Sequence, residues 1–468
     1  MTKDKLGKRL LMMGVVTEKE LKQALERQQK HGGRLGHNLV ELGLIKEEEL
    51  SRLFSREPPQ PNTIEESGLS ISFIADLALK HIIAMGEFML ADLVEVIKLP
   101  VFIVEAAIEH LRRDKLVEVK GGTGYATVTY TFKVSETGTK RGNELMELCR
   151  YAGPAPVTID AYNEMVQLQT VKSIVISEEV VRKAFSHLIL NDLLLKRLGP
   201  AISSGKALFF YGPPGNGKTA IAETIGKIMP DTIFIPYAIT VGGQIITLFD
   251  PVNHEPAESG CEAGEIDQRW IKIKRPVVMT GGELTLRMLD LYFNPISKYY
   301  EASLQMKANN GVFIADDFGR QQIEPQNFLN RWIVPLDRGI DFMNLHTGMM
   351  FSIPFDMLVI FATNLEPKEL VDDAFLRRIR YKIKIGRPTA EEFEEIFRMV
   401  CKANSIPFSH EVYDYLMENY YNKNRVDFNA CHPRDIVDHL VDSARYYNHP
   451  PRMSRESIDM AWQNYFVD

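Results

Sequence analysis

The chain has 468 residues, of which 45% are hydrophobic and 25% charged, and its formal net charge is −7. This composition is typical of a soluble protein of about three domains, and the acidic balance argues against a general nucleic-acid binder. The cysteines are far apart in sequence, which predicts reduced thiols and a cytoplasmic location. No apolar run approaches the ~20 residues of a membrane span.

Residues 1–57 contain a tandem repeat, in which Gly14 falls on Gly43, 29 positions later. Each unit predicts a short helix, a glycine-centred turn and a second helix, because the two glycines stand where a helix C-cap favours positive φ. Thr17 and Glu20 predict a capping box for the helix that follows them. The segment therefore predicts a small all-α repeat domain.

This repeat resembles the N-terminal domain of type II secretion and type IV pilus ATPases, some of which bind cyclic di-GMP through two motif copies that begin Arg-Leu-Gly. Here copy 34–57 keeps that start, whereas copy 5–28 begins with Lys5. Each motif copy ends in glutamine in that family; Gln28 closes the first copy here, but Glu57 stands at the end of the second. An ammonium group stacks on guanine and binds phosphate less well than a guanidinium. The resemblance implies either a cyclic di-GMP site or a docking module with the same apolar core and no ligand. The candidate ligand residues are Lys5, Leu6, Gly7, Leu10, Gln28, Arg34, Leu35, Gly36 and Leu39.

Residues 58–70 are predicted to be a stiff, proline-rich linker, and residues 71–135 a winged-helix-like α+β domain. Helices are predicted at 71–83, at 89–97 and after Pro100, followed by strands at 116–119 and 125–134. A helical connector is expected over 136–170.

A DNA-reading third helix should present an uncompensated basic face. Here Arg112, Arg113 and Lys115 are offset by nearby carboxylates. Contact with protein, or a purely architectural role, is therefore favoured over contact with DNA.

The central motif is a glycine-rich stretch at 212–219. It follows an apolar run at 208–211, which predicts a buried strand, and precedes apolar residues at helical spacing over 220–228. A glycine-rich loop between a strand and a helix surrounds phosphate oxygens with backbone N–H groups. Lys218 would reach the β- and γ-phosphates, and the Thr219 hydroxyl would bind Mg²⁺, so the sequence predicts binding of ATP with Mg²⁺. The loop residues are Gly212, Pro213, Pro214, Gly215, Asn216, Gly217, Lys218 and Thr219.

Other elements around this loop follow from apolar runs. Residues 177–198 are predicted to form one helix that leads into the loop, and residues 233–241 and 244–248 to form strands.

A second apolar run, 312–315, ends in Asp316 and Asp317, which predicts a Walker B strand. Asp316 would hold Mg²⁺ through water, and Asp317 stands where a glutamate usually polarises the attacking water. Aspartate is one methylene shorter, so slow hydrolysis is one expectation. A further apolar run over 358–362 predicts a buried strand that ends in the polar pair Thr363-Asn364. Arg377 and Arg378 come just before another strand, predicted at 381–385.

In this order the motifs resemble those of the AAA+ ATPases, with an α/β core over 171–385 and a helical lid over 386–468. The resemblance implies that Asn364 is sensor 1, that Arg377, or less surely Arg378, is an arginine finger entering the neighbouring subunit's site, and that Arg434 is sensor 2. Ordinary roles remain open: a solvated helix end for the arginine pair and a plain helix N-terminus for Arg434.

The resemblance also implies a function. It predicts a homo-oligomeric ring, a hexamer, that hydrolyses ATP and remodels or assembles a protein partner in a chaperone-like way. The N-terminal repeat would connect this ring to a secretion or pilus component or place it under the control of cyclic di-GMP. The rivals are an ATP-gated scaffold with weak hydrolysis, a winged-helix DNA-binding regulator and a secretion ATPase proper.

The distance in sequence from Lys218 to Asp316 indicates an insertion. Asp250, His254 and Cys261 lie in it without a recognised ligand spacing. We therefore expect a surface loop there rather than a metal site.

Overall fold

The computed structural model describes residues 16–31, 35–45, 57–122, 130–174, 176–258, 266–370 and 376–466. The predicted ligand residues Lys5, Leu6, Gly7, Leu10 and Arg34 lie outside these ranges.

The described part of the N-terminal repeat is helical, with α1 (Glu18–His31) and α2 (Leu35–Glu41). The predicted capping box is confirmed: Thr17 N donates to Glu20 Oε2 at 2.7 Å, and Glu20 N donates to Thr17 Oγ1 at 3.4 Å. Gly43 has the expected positive φ of 66°. Leu35 and Leu39 lie in the apolar core of this segment, which gives both a packing role.

Residues 57–148 contain the elements predicted as winged-helix-like. After a 3₁₀ turn (Glu65–Ser67) come α3 (Ile71–Met85), β1 (Glu87–Met89), α4 (Leu90–Ile97), α5 (Val101–Arg113), β2 (Val117–Gly122), β3 (Tyr130–Val134) and α6 (Glu136–Leu148). The strands form one sheet in the order β1–β3–β2. Most of their apolar residues share one core. The assignment as a winged-helix domain stays a prediction.

The linker before α3 is docked onto residues 266–269. Pro59 forms a β-bridge with Ile266, and Asp267 N donates to Pro58 O at 2.9 Å. The buried guanidinium of Arg269 donates to Ser67 O at 2.8 Å. The prolines therefore lead along a surface instead of spanning solvent.

The region from 157 to 385 is α/β. Its elements are β4 (Val157–Thr158), α7 (Ile159–Leu168), α8 (Glu178–Ala184), α9 (Asp192–Ser203), β5 (Leu208–Tyr211), α10 (Lys218–Ile228), β6 (Thr232–Pro236), β7 (Ala238–Val241), β8 (Gln244–Thr247), β9 (Trp270–Lys274), β10 (Val277–Thr280), β11 (Tyr292–Asn294), β12 (Tyr299–Glu301), α11 (Leu304–Ala308), β13 (Val312–Ala315), α12 (Pro325–Arg338), β14 (Ile340–Asn344), β15 (Met350–Pro354), β16 (Leu358–Thr363), α13 (Pro367–Leu370) and β17 (Tyr381–Lys384).

The single helix predicted over 177–198 is wrong, because the segment contains α8 and α9. Asn191 begins the second helix by accepting a hydrogen bond from Leu194 N at 2.9 Å. Asparagine is a strong N-cap residue, and this cap restarts the helix after an irregular turn.

The core sheet has the order β10–β13–β16–β5–β17, with all neighbours parallel. Phe209 faces one apolar core and Phe210 the other, as the two-residue period of a strand requires. Parallel strands covered on both faces are buried, which explains why β13 and β16 consist of buried residues throughout. The result is a five-stranded parallel sheet with an apolar core on each face.

A second sheet has the order β11–β12–β8–β7–β4. The strand predicted over 233–241 is wrong, since β6 pairs with β9 and β7 pairs with β8. The connector predicted over 136–170 is not wholly helical, because its strand β4 pairs with β7. Gly242 and Gly243, with φ of 54° and 78°, allow the tight β7–β8 turn.

The prediction of a surface loop is also wrong at His254, because only 1% of this residue is exposed. Its Nδ1 accepts a hydrogen bond from Asp250 N at 3.0 Å, and its Nε2 is 2.9 Å from Lys307 O. Lys307 Nζ in turn donates to Asp250 Oδ2 at 2.7 Å. These contacts give His254 a structural role, and the described residues contain no group of three or more metal-ligating side chains. Cys261 lies outside them.

The lid is helical, with α14 (Ala390–Ala403), α15 (His410–Leu416) continued by a π turn (Met417–Asn422), α16 (His432–Tyr446) and α17 (Arg455–Tyr465). They share one apolar core, in line with the helical lid expected over 386–468. Within the described ranges, none of the helices is both long and apolar enough to cross a membrane.

Candidate functional site

The glycine-rich loop at 212–219, called the phosphate loop after its predicted ligand, joins the carboxyl end of β5 to α10. It lies at the edge of the sheet where parallel α/β proteins bind ligands. Gly212, Gly215 and Gly217 have φ of 136°, 74° and 84°, which side-chain-bearing residues rarely adopt. A Cβ atom on Gly212 would lie 2.2 Å from Ile385 O. Backbone conformation therefore favours glycine at all three positions, and at Gly212 the lack of space requires it as well.

Lys218 lies within the curve of this loop, with 7% of the residue exposed. Its Nζ donates hydrogen bonds of 2.8 Å to Gly212 O and Pro213 O. Burial lowers the pKa of Lys218, and the carboxylates of Asp316 and Asp317 oppose that shift. The loop thus holds a positive charge beside its backbone N–H groups.

Two predicted magnesium ligands meet at this edge. Thr219 Oγ1 donates a 2.8 Å hydrogen bond to Asp316 Oδ2. A hydroxyl and a carboxylate are the oxygen donors that Mg²⁺ prefers. Asp316 is itself held from both sides: its N–H donates to Thr280 O at 2.8 Å, and Gln321 Nε2 donates to its carbonyl at 2.9 Å. The donor set fits a magnesium ion held largely through water.

Asp317 and Asn364 lie side by side at the ends of β13 and β16, with Asn364 Nδ2 donating to Asp317 Oδ1 at 3.3 Å. Asp317 has a φ of 47°, a left-handed conformation that carries strain in a residue with a side chain. The following residue is tied to β16, since Phe318 N donates to Ala362 O at 2.7 Å. The Thr363 hydroxyl donates to Phe318 O at 2.6 Å. This clamp turns the Asp317 carboxylate toward Asn364.

The two finger candidates have different environments. Arg378 Nε donates to Asp337 Oδ2 at 2.7 Å, whereas Arg377 is exposed. Both precede β17, which runs parallel to β5 with Tyr381 opposite Leu208. They therefore lie toward the amino end of the sheet, roughly 10 Å or more from the loop at about 3.3 Å per strand residue. The fold does not bring Arg377 to its own chain's phosphate loop.

Arg434 lies in the first turn of α16, with 69% of its side chain exposed, and its Nε is 3.7 Å from Asp435 Oδ1. The loop is contacted instead by the residues just before α16. Cys431 N donates to Gly215 O at 2.8 Å, and Ala430 N donates to Asn216 Oδ1 at 3.1 Å. The sequence analysis missed these lid residues, and Arg434 as a phosphate sensor stays a prediction.

A cavity of about 170 Å³ adjoins the loop at Asn216, between the core and the lid. Sequence analysis missed it as well, because four segments that are distant in sequence form it. The one sequence feature that could have indicated this cavity is the Gly386-Arg387-Pro388 segment, which interrupts the apolar pattern between the last core strand and the lid. The residues that line it include Leu190, Asn191, Leu194, Arg197, Ile385, Gly386, Arg387, Ile396 and Ala430.

Parts of this chain are similar to one described family and to known proteins. Residues 389–464 match a family described as a domain of unknown function (DUF8689). The chain is 24% identical over 223 residues to the vesicle-fusing ATPase of Dictyostelium discoideum, covering 47% of this chain and 24% of that protein. It is 25% identical over 207 residues to the vesicular-fusion protein SEC18 of Saccharomyces cerevisiae, covering 44% and 22%. The match thus spans about a quarter of each relative's length.

Two solved structures have low overall similarity. NtrX from Brucella abortus in complex with ADP has a TM-score of 0.37 at 12% identity, covering 59% of this chain and 56% of that one. A point mutant of RuvB from Thermotoga maritima has a TM-score of 0.33 at 10% identity, covering 64% and 74%. The curated matches indicate a distant relationship of this chain to the AAA+ ATPases.

Proposed function

We propose that this chain is an AAA+ ATP hydrolase that works as a homo-oligomeric ring, a hexamer, and remodels or assembles a protein partner. One observation carries the proposal. The phosphate loop, the Thr219–Asp316 pair and the Asp317–Asn364 pair converge at the carboxyl edge of one parallel sheet. Phosphoryl transfer needs little beyond positioning and charge neutralisation, and these groups supply both.

In the proposed reaction, the loop N–H groups and Lys218 bind the β- and γ-phosphates. Thr219 and Asp316 hold Mg²⁺, which when bound neutralises charge on the phosphate oxygens. Asp317 accepts a hydrogen bond from the attacking water, and Asn364 orients the carboxylate. The cavity beside Asn216 takes the nucleoside.

Ring assembly is proposed because the site is incomplete within one chain. Transition-state charge in such enzymes is often neutralised by an arginine from a neighbouring subunit. Arg377 is exposed and lies toward the amino end of the sheet, which supports a role for it at a neighbouring subunit's site. The ion pair of Arg378 with Asp337 makes Arg378 the weaker candidate.

The N-terminal repeat is proposed to regulate the motor, as a cyclic di-GMP sensor or as a docking module for a secretion or pilus component. The packing of Leu35 and Leu39 in its core accounts for two of the candidate ligand residues without a ligand. Gln28 and Gly36 lie on α1 and α2. The winged-helix-like segment is proposed to contact protein, since Arg112 is paired with Glu109.

A second candidate function is an ATP-gated scaffold that hydrolyses poorly. The observation behind it is Asp317, whose short side chain extends from a left-handed backbone. Such a protein would assemble with ATP and turn over very little of it.

The deciding experiment is steady-state ATP turnover of the full chain with and without cyclic di-GMP, with Lys218→Ala as the blank. Turnover that changes with the dinucleotide supports a regulated motor with the repeat as its sensor. Turnover that ignores it reduces the repeat to a docking module. Assembly with ATP but no turnover above the blank overturns the motor in favour of the scaffold.

A further inference from the structure

Asn216, of which 5% is exposed, connects the phosphate loop to the lid. Its Oδ1 accepts from Ala430 N at 3.1 Å. A backbone N–H can only donate, so this contact fixes the orientation of the Asn216 amide. Its Nδ2 therefore donates to Pro214 O at 3.0 Å, and to Pro213 O and Asn429 Oδ1 at 3.3 and 3.2 Å.

The orientation of the Asn216 amide also determines how two lid side chains, Asn429 and His432, are oriented. Asn429 Oδ1 is an acceptor, so its Nδ2 donates to His432 Nε2 at 3.2 Å. His432 is then neutral, with Nδ1–H donating to Tyr421 OH at 3.0 Å. Burial lowers the pKa of His432, reinforced by Arg387 and opposed by Asp435, consistent with the neutral ring. Tyr421 belongs to the apolar core of the lid.

Backbone contact reinforces this chain of hydrogen bonds. Cys431 N donates to Gly215 O at 2.8 Å, and a Cβ atom on Gly215 would lie 2.6 Å from Cys431 Sγ. Both Asn216 and Ala430 line the cavity beside the loop. Any opening of that cavity by lid movement must therefore break the contacts that Asn216 makes.

We propose that Asn216 and Asn429 are positioning residues that hold the lid against the phosphate loop, so that a bound nucleotide leaves only when this pair opens. The inference rests on the proposed nucleotide site and goes beyond it, because it assigns the coupling of loop and lid to this pair and not to Arg434. Asn216 also holds the Pro213 and Pro214 carbonyls, which keeps these acceptors turned toward the amide and away from phosphate oxygens.

The test compares Asn429→Ala with Asn424→Ala, an exposed asparagine of the same lid. Stopped-flow dissociation of a fluorescent ATP analogue should be about tenfold faster in Asn429→Ala, the loss of one or two hydrogen bonds, and unchanged in Asn424→Ala. Amide exchange at Ala430 and Cys431 should rise in parallel. The dissociation rate of the double variant with Asn216→Ala should rise by less than the product of the two single effects, because both changes remove the shared Asn216–Asn429 contact.

A second variant keeps the test decisive if Asn429→Ala fails to fold. Asn216→Asp leaves the lid intact but turns an acceptor toward Asn429 Oδ1, and it should also speed dissociation. Wild-type rates in the folded variants, or fully additive effects in the double variant, would overturn the coupling while leaving the nucleotide site in place. A wild-type protein that binds no analogue would overturn the proposed function and this inference together.

Discussion

Arg275 donates a 2.6 Å hydrogen bond to the carbonyl of Asn310, two residues before the strand that leads to Asp316. It also donates to Gln169 O at 2.9 Å and to Pro230 O at 3.1 Å. One buried guanidinium thus joins the segment after α7, the end of α10 and the start of β13. The second sheet and the nucleotide site share this junction.

Replacement of Arg275 by alanine should lower stability and turnover together. Each buried carbonyl that loses its donor costs on the order of 1–3 kcal/mol, so we expect a loss of ~3 kcal/mol or more. At roughly 2–4 °C per kcal/mol, the melting temperature should fall by about 6–12 °C. Arg287→Ala, at an exposed site, is the control. Calorimetry that shows equal melting temperatures for the two variants would contradict the role of this junction.

Lys218→Ala should abolish ATP binding and ATP-dependent assembly, because it removes the one cation held within the described phosphate loop. Lys206→Ala, an exposed lysine two residues before β5, should bind and assemble as the wild type does. Titration calorimetry and analytical ultracentrifugation measure the two properties. An oligomer that forms unchanged without bound ATP would show that the ring does not depend on the nucleotide.

Asp317→Asn should reduce turnover by about 10²-fold or more, the usual scale for a group that assists proton transfer. Nucleotide affinity should hold, because Asp317 is not among the proposed ligands of phosphate or Mg²⁺. Asp317→Glu distinguishes the two candidate functions. A longer side chain that raises turnover would indicate that the native reach limits hydrolysis, and a fall would show that the left-handed turn compensates for the short side chain.

The arginine finger is tested by mixing two inactive proteins. Arg377→Ala should bind ATP and lose on the order of 10³ in turnover, whereas Arg378→Ala breaks a surface ion pair worth about 0.2–1 kcal/mol. Mixed with Asp317→Asn, which is expected to bind ATP and keeps its own Arg377, the Arg377→Ala protein should regain activity at interfaces where its intact Asp317 meets an intact Arg377. A mixture as inactive as its components, in rings shown to exchange subunits, would argue against action in trans.

Local sequence patterns predicted the parts of the fold that depend on neighbours in sequence. The apolar runs before Gly212, Asp316 and Asn364 are strands β5, β13 and β16, because a strand buried on both faces has a strong apolar signature. The helical lid over 386–468 was expected from the resemblance of the motif order, and the structure has helices there. The N-cap of α14 at Thr389 was not predicted.

Long-range pairing was not predictable in this way. Strands of two to four residues build the second sheet, and β12 pairs with β8 in parallel although Tyr300 is far from Ile246 in sequence. Runs so short carry little periodicity, so β6 and β7 were read as one strand. The lid contacts of Asn429 and Cys431 depend on tertiary placement, whereas Arg434 was predicted from motif order alone. The roles of the site residues remain predictions that these experiments test.

Buried neutral histidines should make the protein less stable in mild acid. Burial lowers the pKa values of His81, His254 and His432, below the ordinary value of about 6.5. The unfolded chain then binds more protons than the folded chain as pH falls through about 6.5, so the free energy of unfolding falls there and is unaffected by these groups at higher pH. Each group contributes up to about 1.4 kcal/mol per pH unit.

Calorimetric melting between pH 5 and 8 at constant ionic strength measures this slope. Because acidic residues also respond below pH 5, the comparison is between His432→Gln and the exposed control His449→Gln. His432→Gln should melt lower at pH 8, since it disturbs the contacts of His432 with Asn429 and Tyr421, and should lose less stability on acidification. Equal slopes for both variants would mean that His432 is protonated in the folded lid, which would contradict the acceptor assigned to its Nε2.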